Sequence, residues 1–168
     1  MSQQTKKRRN RAILVLFILY TLLIIKVIIF KFSFAQMQEI INGWQKGVIW
    51  EGLGSANFHL FKTIKLYVRH YRMPNINSFG NLFGNILVFI PFGFLLPMVH
   101  PICRHFIALL ANTFVFVFGI EMFQLLSAFG TFDVDDILLN CTGAVLGYLV
   151  YVLLIHKGFN GTKNIKNL

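Results

Sequence analysis

The chain has 168 residues, of which 56% are hydrophobic and 13% charged, with a formal net charge of +10. A soluble domain of this size cannot bury so much apolar surface, whereas a lipid bilayer covers it without a protein core. The composition therefore predicts an all-α, single-domain membrane protein. No nucleic-acid-binding motif accompanies the basic charge, which is instead expected to set topology and to meet anionic lipids.

The N-terminal part predicts a membrane anchor. Residues 12–30 form an apolar run long enough to span a bilayer, interrupted by Lys26. Five basic residues within 1–11 precede the run and predict a cytoplasmic N-terminus. The alternative is a cleaved signal peptide, because Ser33-Phe34-Ala35 resembles a cleavage site. The run is longer than the ~7–15 residues of a typical signal-peptide core, which favours a retained anchor.

Residues 31–79 are mixed, with basic side chains among Trp and Tyr residues. Such a composition favours the headgroup level of a membrane. We predict an extracytoplasmic amphipathic loop, with residues 57–71 as a helix on the outer surface. A loop that only packs over the bundle is the open alternative.

Three further spans are predicted within residues 80–156, at about 80–97, 105–127 and 136–156. Pro91 and Gly93 predict a kink in the first of them, and Pro97 with Pro101 is expected to end it. Residues 157–168 form a basic tail. This topology places nine Lys and Arg residues in the cytoplasm against six in the long loop, so both termini are predicted to be cytoplasmic.

Acidic residues are concentrated near the fourth span. Four of the six in the chain are Glu121, Asp133, Asp135 and Asp136. A charge at mid-bilayer costs at least ~2.5 kcal/mol on insertion scales, so such acids normally pair with another group or line a polar cavity. Glu121 is the strongest functional candidate, as a general base, because no structural feature of a span requires an acid there.

Several amides are predicted to share the depth of Glu121. At ~1.5 Å per residue, Asn85, Asn140 and Glu121 all lie within about 10 Å of the outer ends of their spans. Gln124 is one turn from Glu121, and Asn81 shares a helix face with Asn85. Together they predict a binding cavity open to the outer leaflet. Alternatively, the asparagines form hydrogen bonds between helices.

Two interpretations of the aspartates are open. Asp133 and Asp136 are candidate ligands of a divalent cation such as Mg²⁺, which prefers oxygen ligands. Alternatively, Asp135 or Asp136 caps the fourth helix, where a carboxylate meets free amide groups. The sequence does not identify a cofactor.

Small residues and cysteines are expected to serve packing or no specific role. Gly143 and Gly147 share a face with Asn140 and predict close contact with another helix. Cys103 and Cys141 lack metal-ligand spacing and are predicted to lie toward opposite sides of the membrane. We assign them no function.

The order of these motifs resembles that of the VanZ-like family over about residues 80–148. The resemblance rests on Asn81-x-x-x-Asn85, Glu121-Met-Phe-Gln124 and the Asp135-Asp136 run that continues to Asn140. It implies a bacterial membrane protein whose family's founding member is associated with resistance to teicoplanin and related glycopeptides. Some members carry an Arg shortly before the Asp run, where this chain has Gly130-Thr131. The recurrent family positions correspond to Asn85, Pro91, Gly93, Glu121, Gln124, Asp133, Asp136, Asn140 and Gly143.

Three functions follow from these observations. The first is a VanZ-like protein that lowers sensitivity to teicoplanin-type lipoglycopeptides by acting at the outer leaflet on a lipid-linked cell-envelope component. The second is a metal-assisted hydrolase or transferase acting on a lipid phosphate. The third is a non-catalytic membrane partner that uses its small-residue faces for helix contacts. The expected partners are the bilayer and a lipid-linked precursor or the lipoglycopeptide itself, and the oligomeric state is open.

Overall fold

The computed structural model describes residues 3–29, 34–44, 47–69 and 76–164. This part of the chain is almost entirely helical and contains no strand beyond one bridged residue pair. Four helices, α1, α5, α6 and α7, are long and apolar enough to cross a membrane, which confirms the predicted all-α membrane bundle. The helices are α1 (Gln3–Ile29), α2 (Phe34–Asn42), α3 (Gly47–Ser55), α4 (Lys62–Arg69), α5 (Ile76–Val99), a 3-10 helix (Pro101–Arg104), α6 (Phe106–Ser127) and α7 (Val134–Asn164).

Helix α1 extends beyond the apolar run because it begins at Gln3. Lys and Arg are good helix formers, so the basic residues lengthen the helix by about 13 Å on its N-terminal side. The apolar part packs on α5. The Tyr20 hydroxyl donates a hydrogen bond to the Val88 carbonyl oxygen at 2.8 Å. Ser33, part of the alternative cleavage site, lies outside the described residues.

The described part of the segment between α1 and α5 contains three short helices, of which α3 packs on α6 and α4 packs on α5 and α7 at one end of the bundle. The indole nitrogen of Trp44 donates to the Leu126 carbonyl oxygen at 3.1 Å, and Gly52 lies against Leu125. The amphipathic helix predicted over residues 57–71 is shorter, since α4 covers Lys62–Arg69. Residues 57–61 instead form an extended turn that contacts α7. The segment therefore combines an amphipathic helix with a loop that packs on the bundle.

Helix α5 runs through Pro91 and Pro97 and ends at Val99, two residues before Pro101. Of the two prolines expected to end it, only Pro101 lies at its end. A proline removes one backbone donor, and membrane helices tolerate this where neighbouring groups compensate. After Val99, the His100 N–H donates to the Leu96 carbonyl oxygen at 2.8 Å, and Pro101 begins the 3-10 helix.

Helices α5 and α7 make the closest helix contact in the described bundle. A Cβ atom on Gly143 would overlap the carbonyl oxygen of Ile86, and one on Gly147 would overlap that of Ile90. From the other side, a Cβ on Gly93 would overlap the backbone of Ala144. Backbone atoms can approach this closely only where side chains are absent, as is common between membrane helices. This contact fixes how the polar residues of α5 and α7 face each other.

Helices α6 and α7 run antiparallel, with contacts at both ends that define their register. At one end, the Tyr148 hydroxyl donates to the Arg104 carbonyl oxygen at 2.7 Å. At the other, the Asp133 N–H donates to the Glu121 carboxylate at 3.0 Å. Helix α6 ends at Ser127, and Ala128 adopts a left-handed conformation with φ of 61°. Residues 128–133 therefore fold back along the last turns of α6.

We call the end of the bundle that holds the Glu121–Asp133 contact the acidic end. All six Asp and Glu residues belong to this end or to the segment between α1 and α5. The opposite end carries the basic N-terminal turns of α1 and the 3-10 helix, and we call it the basic end. The acids are Glu39, Glu51, Glu121, Asp133, Asp135 and Asp136.

Candidate functional site

Asp133 joins the start of α7 to the segment before α4. Its Oδ1 accepts a hydrogen bond from the Asn57 amide at 2.8 Å, and its Oδ2 accepts one from the Thr63 hydroxyl at 2.6 Å. The backbones also pair: the Asn57 N–H donates to the Phe132 carbonyl oxygen at 2.8 Å, and the Val134 N–H donates to that of Asn57 at 3.0 Å. Asn57 is buried, so residues 57–64 are firmly docked on α7.

Asp135 caps helix α4 from a different helix. Its carboxylate accepts the N–H groups of Phe61, Thr63 and Ile64, the last two at 2.8 and 3.2 Å. These are the free amides at the start of α4. The side chain is fully buried, and this arrangement pairs its negative charge with the positive end of the helix dipole. Asp133 and Asp135, with their partners Asn57, Phe61, Thr63 and Ile64, form what we call the acid clamp.

The prediction that Asp135 or Asp136 caps the fourth helix is wrong, because a different aspartate, Asp133, is the cap. The Asp133 carboxylate accepts the N–H of Asp135 at 2.8 Å and is the cap of α7. Asp135 points away from its own helix toward α4, and Asp136 points toward α5. The three aspartates therefore contact three different helices: Asp133 caps α7, Asp135 caps α4 and Asp136 contacts α5.

Glu121 and Asp136 extend the polar contacts into the bundle. Glu121 is only 1% exposed, and its Oε2 accepts the Asp133 N–H at 3.0 Å. Asp136 accepts the side-chain amide of Asn85 at 2.7 Å. The structure thus brings together the predicted residues Asn85, Glu121, Asp133 and Asp136 at the acidic end, with α5, α6 and α7 each contributing.

Two buried oxygen atoms deeper in the bundle lack a hydrogen-bond partner. They are Oδ1 of Asn140 and Oγ1 of Thr113, in side chains 2% and 0% exposed. Asn140 lies seven residues after Asp133, and Thr113 eight residues before Glu121, so both are about 11 Å along their helices from the Glu121–Asp133 contact. Burying an unpaired polar group costs about 1–3 kcal/mol. Such groups are rare and suit a bound water or ligand.

Three of the residues expected to line a cavity open to the outer leaflet are buried in the structure. Glu121, Gln124 and Asn140 are all buried. The fold-back of residues 128–133 closes over Gln124, because a Cβ on Gly130 would lie 3.0 Å from the Gln124 side chain. The Asn81 side chain lies outside the described residues.

The cation role predicted for Asp133 and Asp136 stays a prediction. Among the described residues, no three His, Cys, Asp or Glu side chains are grouped so that they could hold a metal ion. Both oxygens of Asp133 already accept hydrogen bonds from Asn57 and Thr63. The Asp133 oxygens therefore fit hydrogen bonding within the acid clamp better than metal binding.

A groove of about 460 Å³ opens on the side of the bundle between α6 and α7, next to the acid clamp. The groove runs along the helices from Ile107 on α6 to Val134 on α7. Because Val134 is level with about Glu121 on α6, these two ends are about 20 Å apart along the helix axes. The lining is almost wholly apolar. It consists of Leu60, Ile107, Leu110, Ala111, Phe114, Val134, Ile137, Leu138 and Cys141. We call it the side groove.

Sequence reasoning missed Asn57 and Thr63 as members of the site. One signal was available: α4 is strongly amphipathic but has no Ser, Thr, Asp or Asn immediately before its first residue, where Phe61 stands. A short helix without a cap of its own requires one from elsewhere. Which residue supplies it depends on the fold.

The helices and their buried acid clamp define a multi-pass membrane protein with a polar cluster at one end. The family described as VanZ/LLP1 matches residues 17–155, and the chain belongs to this family. The chain is also similar to Protein VanZ of Enterococcus faecium, with 27% identity over 109 residues, which cover 63% of this chain and 67% of that protein. No solved structure matches it.

Proposed function

We propose that this protein lowers sensitivity to teicoplanin-type lipoglycopeptides by acting at the outer leaflet on a lipid-linked cell-envelope component. Family membership supports the association with teicoplanin, and the distribution of basic residues supports an outward-facing acidic end. The single observation that carries the proposal is the side groove. An apolar groove about 20 Å long matches an extended lipid chain, and it begins beside the acid clamp at the membrane surface.

The acidic end also offers groups for the polar part of such a lipid. Helix α4 begins two residues after Leu60, at the groove rim, and carries the exposed cations Lys62, Lys65 and Arg69. Asp133 and Asp135 hold the N-terminus of α4 against α7, so these cations stay close to the rim. A lipid whose chain occupies the side groove would thus place an anionic headgroup within reach of a basic helix.

The scaffold hypothesis loses its main support in this geometry. That hypothesis needs small-residue faces that are free for a partner helix, and Gly143 and Gly147 lie against the backbone of α5. The enzyme hypothesis rests on Glu121 as the general base and on Asp133 and Asp136 as ligands of a cation.

The proposed function is tested by filling the side groove. Ala111 lines the groove and is exposed, so Ala111→Trp adds bulk there. Val115 lies one turn further on the same helix, is 68% exposed and is not part of the groove, so Val115→Trp is the matched control. In a susceptible bacterium, the unaltered chain and Val115→Trp should raise the inhibitory concentration of a lipoglycopeptide at least about fourfold, and Ala111→Trp should not.

Protein levels in the membrane are measured in parallel. A glycopeptide without a lipid tail is the drug control, and its inhibitory concentration should change less. No protection by the unaltered chain would refute the proposed function. Full protection by Ala111→Trp at normal level would refute the role of the groove.

A further inference from the structure

A second groove, of about 740 Å³, lies at the basic end, at the opposite end of the bundle from the acidic cluster. One wall is the N-terminal part of α1, with Lys6, Lys7 and Arg11, and the other is the end of α5 and the 3-10 helix, with Met98 and Arg104. Its cations come from two separate elements and converge on one space. We call it the basic groove.

Among the described residues, no carboxylate side chain lines the basic groove. The six Asp and Glu residues belong to the acidic end or to the segment between α1 and α5. The Arg104 side chain donates a hydrogen bond from its Nε to the Pro97 carbonyl oxygen at 3.4 Å, and a neutral carbonyl leaves the charge of the guanidinium uncompensated. The carbonyl end of α5 also lies here, and the dipole of one helix end offsets only about half a charge.

The depth of the groove identifies the kind of anion. Residues 3–11 extend about 13 Å beyond the apolar part of α1, which spans the hydrocarbon layer. The Lys6, Lys7 and Arg11 side chains therefore lie at headgroup level, while Leu14 and Met98 line the apolar floor of the same groove. A wall of cations above an apolar floor fits a molecule with an anionic head and an apolar tail.

We propose that the basic groove binds the phosphate headgroup of an anionic phospholipid. Lys6, Lys7, Arg11 and Arg104 supply the charge, and Asn10 supplies an amide. The lipid holds the N-terminal turns of α1 against the α5–α6 connection, two elements of like charge that repel each other without it. This site is distinct from the side groove and does not depend on the proposed function.

The test compares lipid preference among variants of the full-length protein. The protein is reconstituted in vesicles of phosphatidylcholine with spin-labelled phosphatidylglycerol or phosphatidylcholine, and the fraction of immobilised lipid is measured. Arg11→Gln and Arg104→Gln should each lower the preference for phosphatidylglycerol about fivefold. Arg9→Gln removes the same charge from the same helix, but Arg9 lies outside the groove, so its preference should change less than twofold.

Equal losses from Arg9→Gln and Arg11→Gln would overturn the proposal in favour of diffuse charge. If millimolar inorganic phosphate abolished the preference for phosphatidylglycerol, the proposal would also be overturned, because the site would then bind a free anion rather than a lipid headgroup. Lys6→Gln provides a second groove variant should Arg104→Gln reduce the helix content measured by circular dichroism. An unchanged preference in all the folded groove variants would show that no headgroup binds there.

Discussion

The carboxylate of Asp135, on α7, accepts the backbone N–H of Thr63 at 2.8 Å and so caps a helix 72 residues earlier in the chain. This contact joins the amphipathic helix α4 to the rigid α5–α7 pair. A buried aspartate that sequence patterns assign to its own helix instead positions the surface element next to the side groove.

Asp135→Ala should release the first turn of α4. Replacing a helix cap by Ala typically costs about 0.5–2 kcal/mol, so amide hydrogen exchange at residues 62–64 should accelerate by roughly twofold to thirtyfold. Asp136→Asn is the control, because the Asp136 carboxylate accepts a hydrogen bond from the side-chain amide of Asn85 on α5. Unchanged exchange in Asp135→Ala would contradict the capping role.

Gly143→Ala and Gly147→Ala should both disrupt the α5–α7 contact, since each new methyl group would overlap a carbonyl oxygen of α5. Overpacking typically costs about 1–3 kcal/mol, and a clash with backbone is at the high end. Gly84→Ala and Gly119→Ala are controls in open space and should be neutral or stabilising. The measurement is the thermal unfolding midpoint in detergent. Similar midpoints for all four variants would show that the helices can separate without loss.

Asn140→Leu and Thr113→Val test the two unpaired buried oxygens. Removing a buried polar atom that has no partner is expected to leave the unfolding midpoint unchanged or to raise it. If a water or ligand atom binds there in the working protein, the same variants lose drug protection at normal protein level. A large fall in the midpoint would instead show that both oxygens have partners in the folded protein.

Glu121→Gln separates binding from catalysis. Glutamine keeps the shape and an oxygen that can accept the Asp133 N–H, but it cannot act as a base near neutral pH. We expect Glu121→Gln and Asp136→Asn to retain drug protection within about twofold. Complete loss in both at normal protein level would favour the metal-assisted hydrolase or transferase over the binding role.

The predicted topology is tested by single added cysteines. Thr131 is exposed at the acidic end, so Thr131→Cys should react with an impermeant thiol reagent in intact cells, and Lys163→Cys should not. The native background should be low. Cys103 and Cys141 are 1% and 9% exposed, and burial raises the pKa of the Cys103 thiol, which lowers its reactive thiolate fraction. The reverse labelling pattern would place the acidic end in the cytoplasm and refute the proposed function.

Local patterns predicted the elements of this bundle well because each span is a long apolar run that has to satisfy its backbone as a helix. They were less accurate at helix ends. Helix α5 continues two residues past Pro97, and α4 begins later than predicted, where the Asp135 carboxylate on α7 accepts its first amides. Of the polar residues singled out on α5, α6 and α7, Glu121 contacts Asp133 and Asn85 contacts Asp136, whereas Asn140 lies about 11 Å further along α7. The burial of Gln124 was not predicted, because no pattern in the sequence indicated that residues 128–133 fold back over it.

The amino-acid sequence by itself determined the membrane environment and the four spans, because these follow from composition and from the order of the apolar runs along the chain. Only the tertiary structure decided what each acid does. Asp133, Asp135 and Asp136 are equivalent as carboxylates in the sequence, but they point in different directions around one helix turn. Their roles are set by which donors the fold brings within 3 Å: Asn57 and Thr63 for Asp133, the first amides of α4 for Asp135, and Asn85 for Asp136.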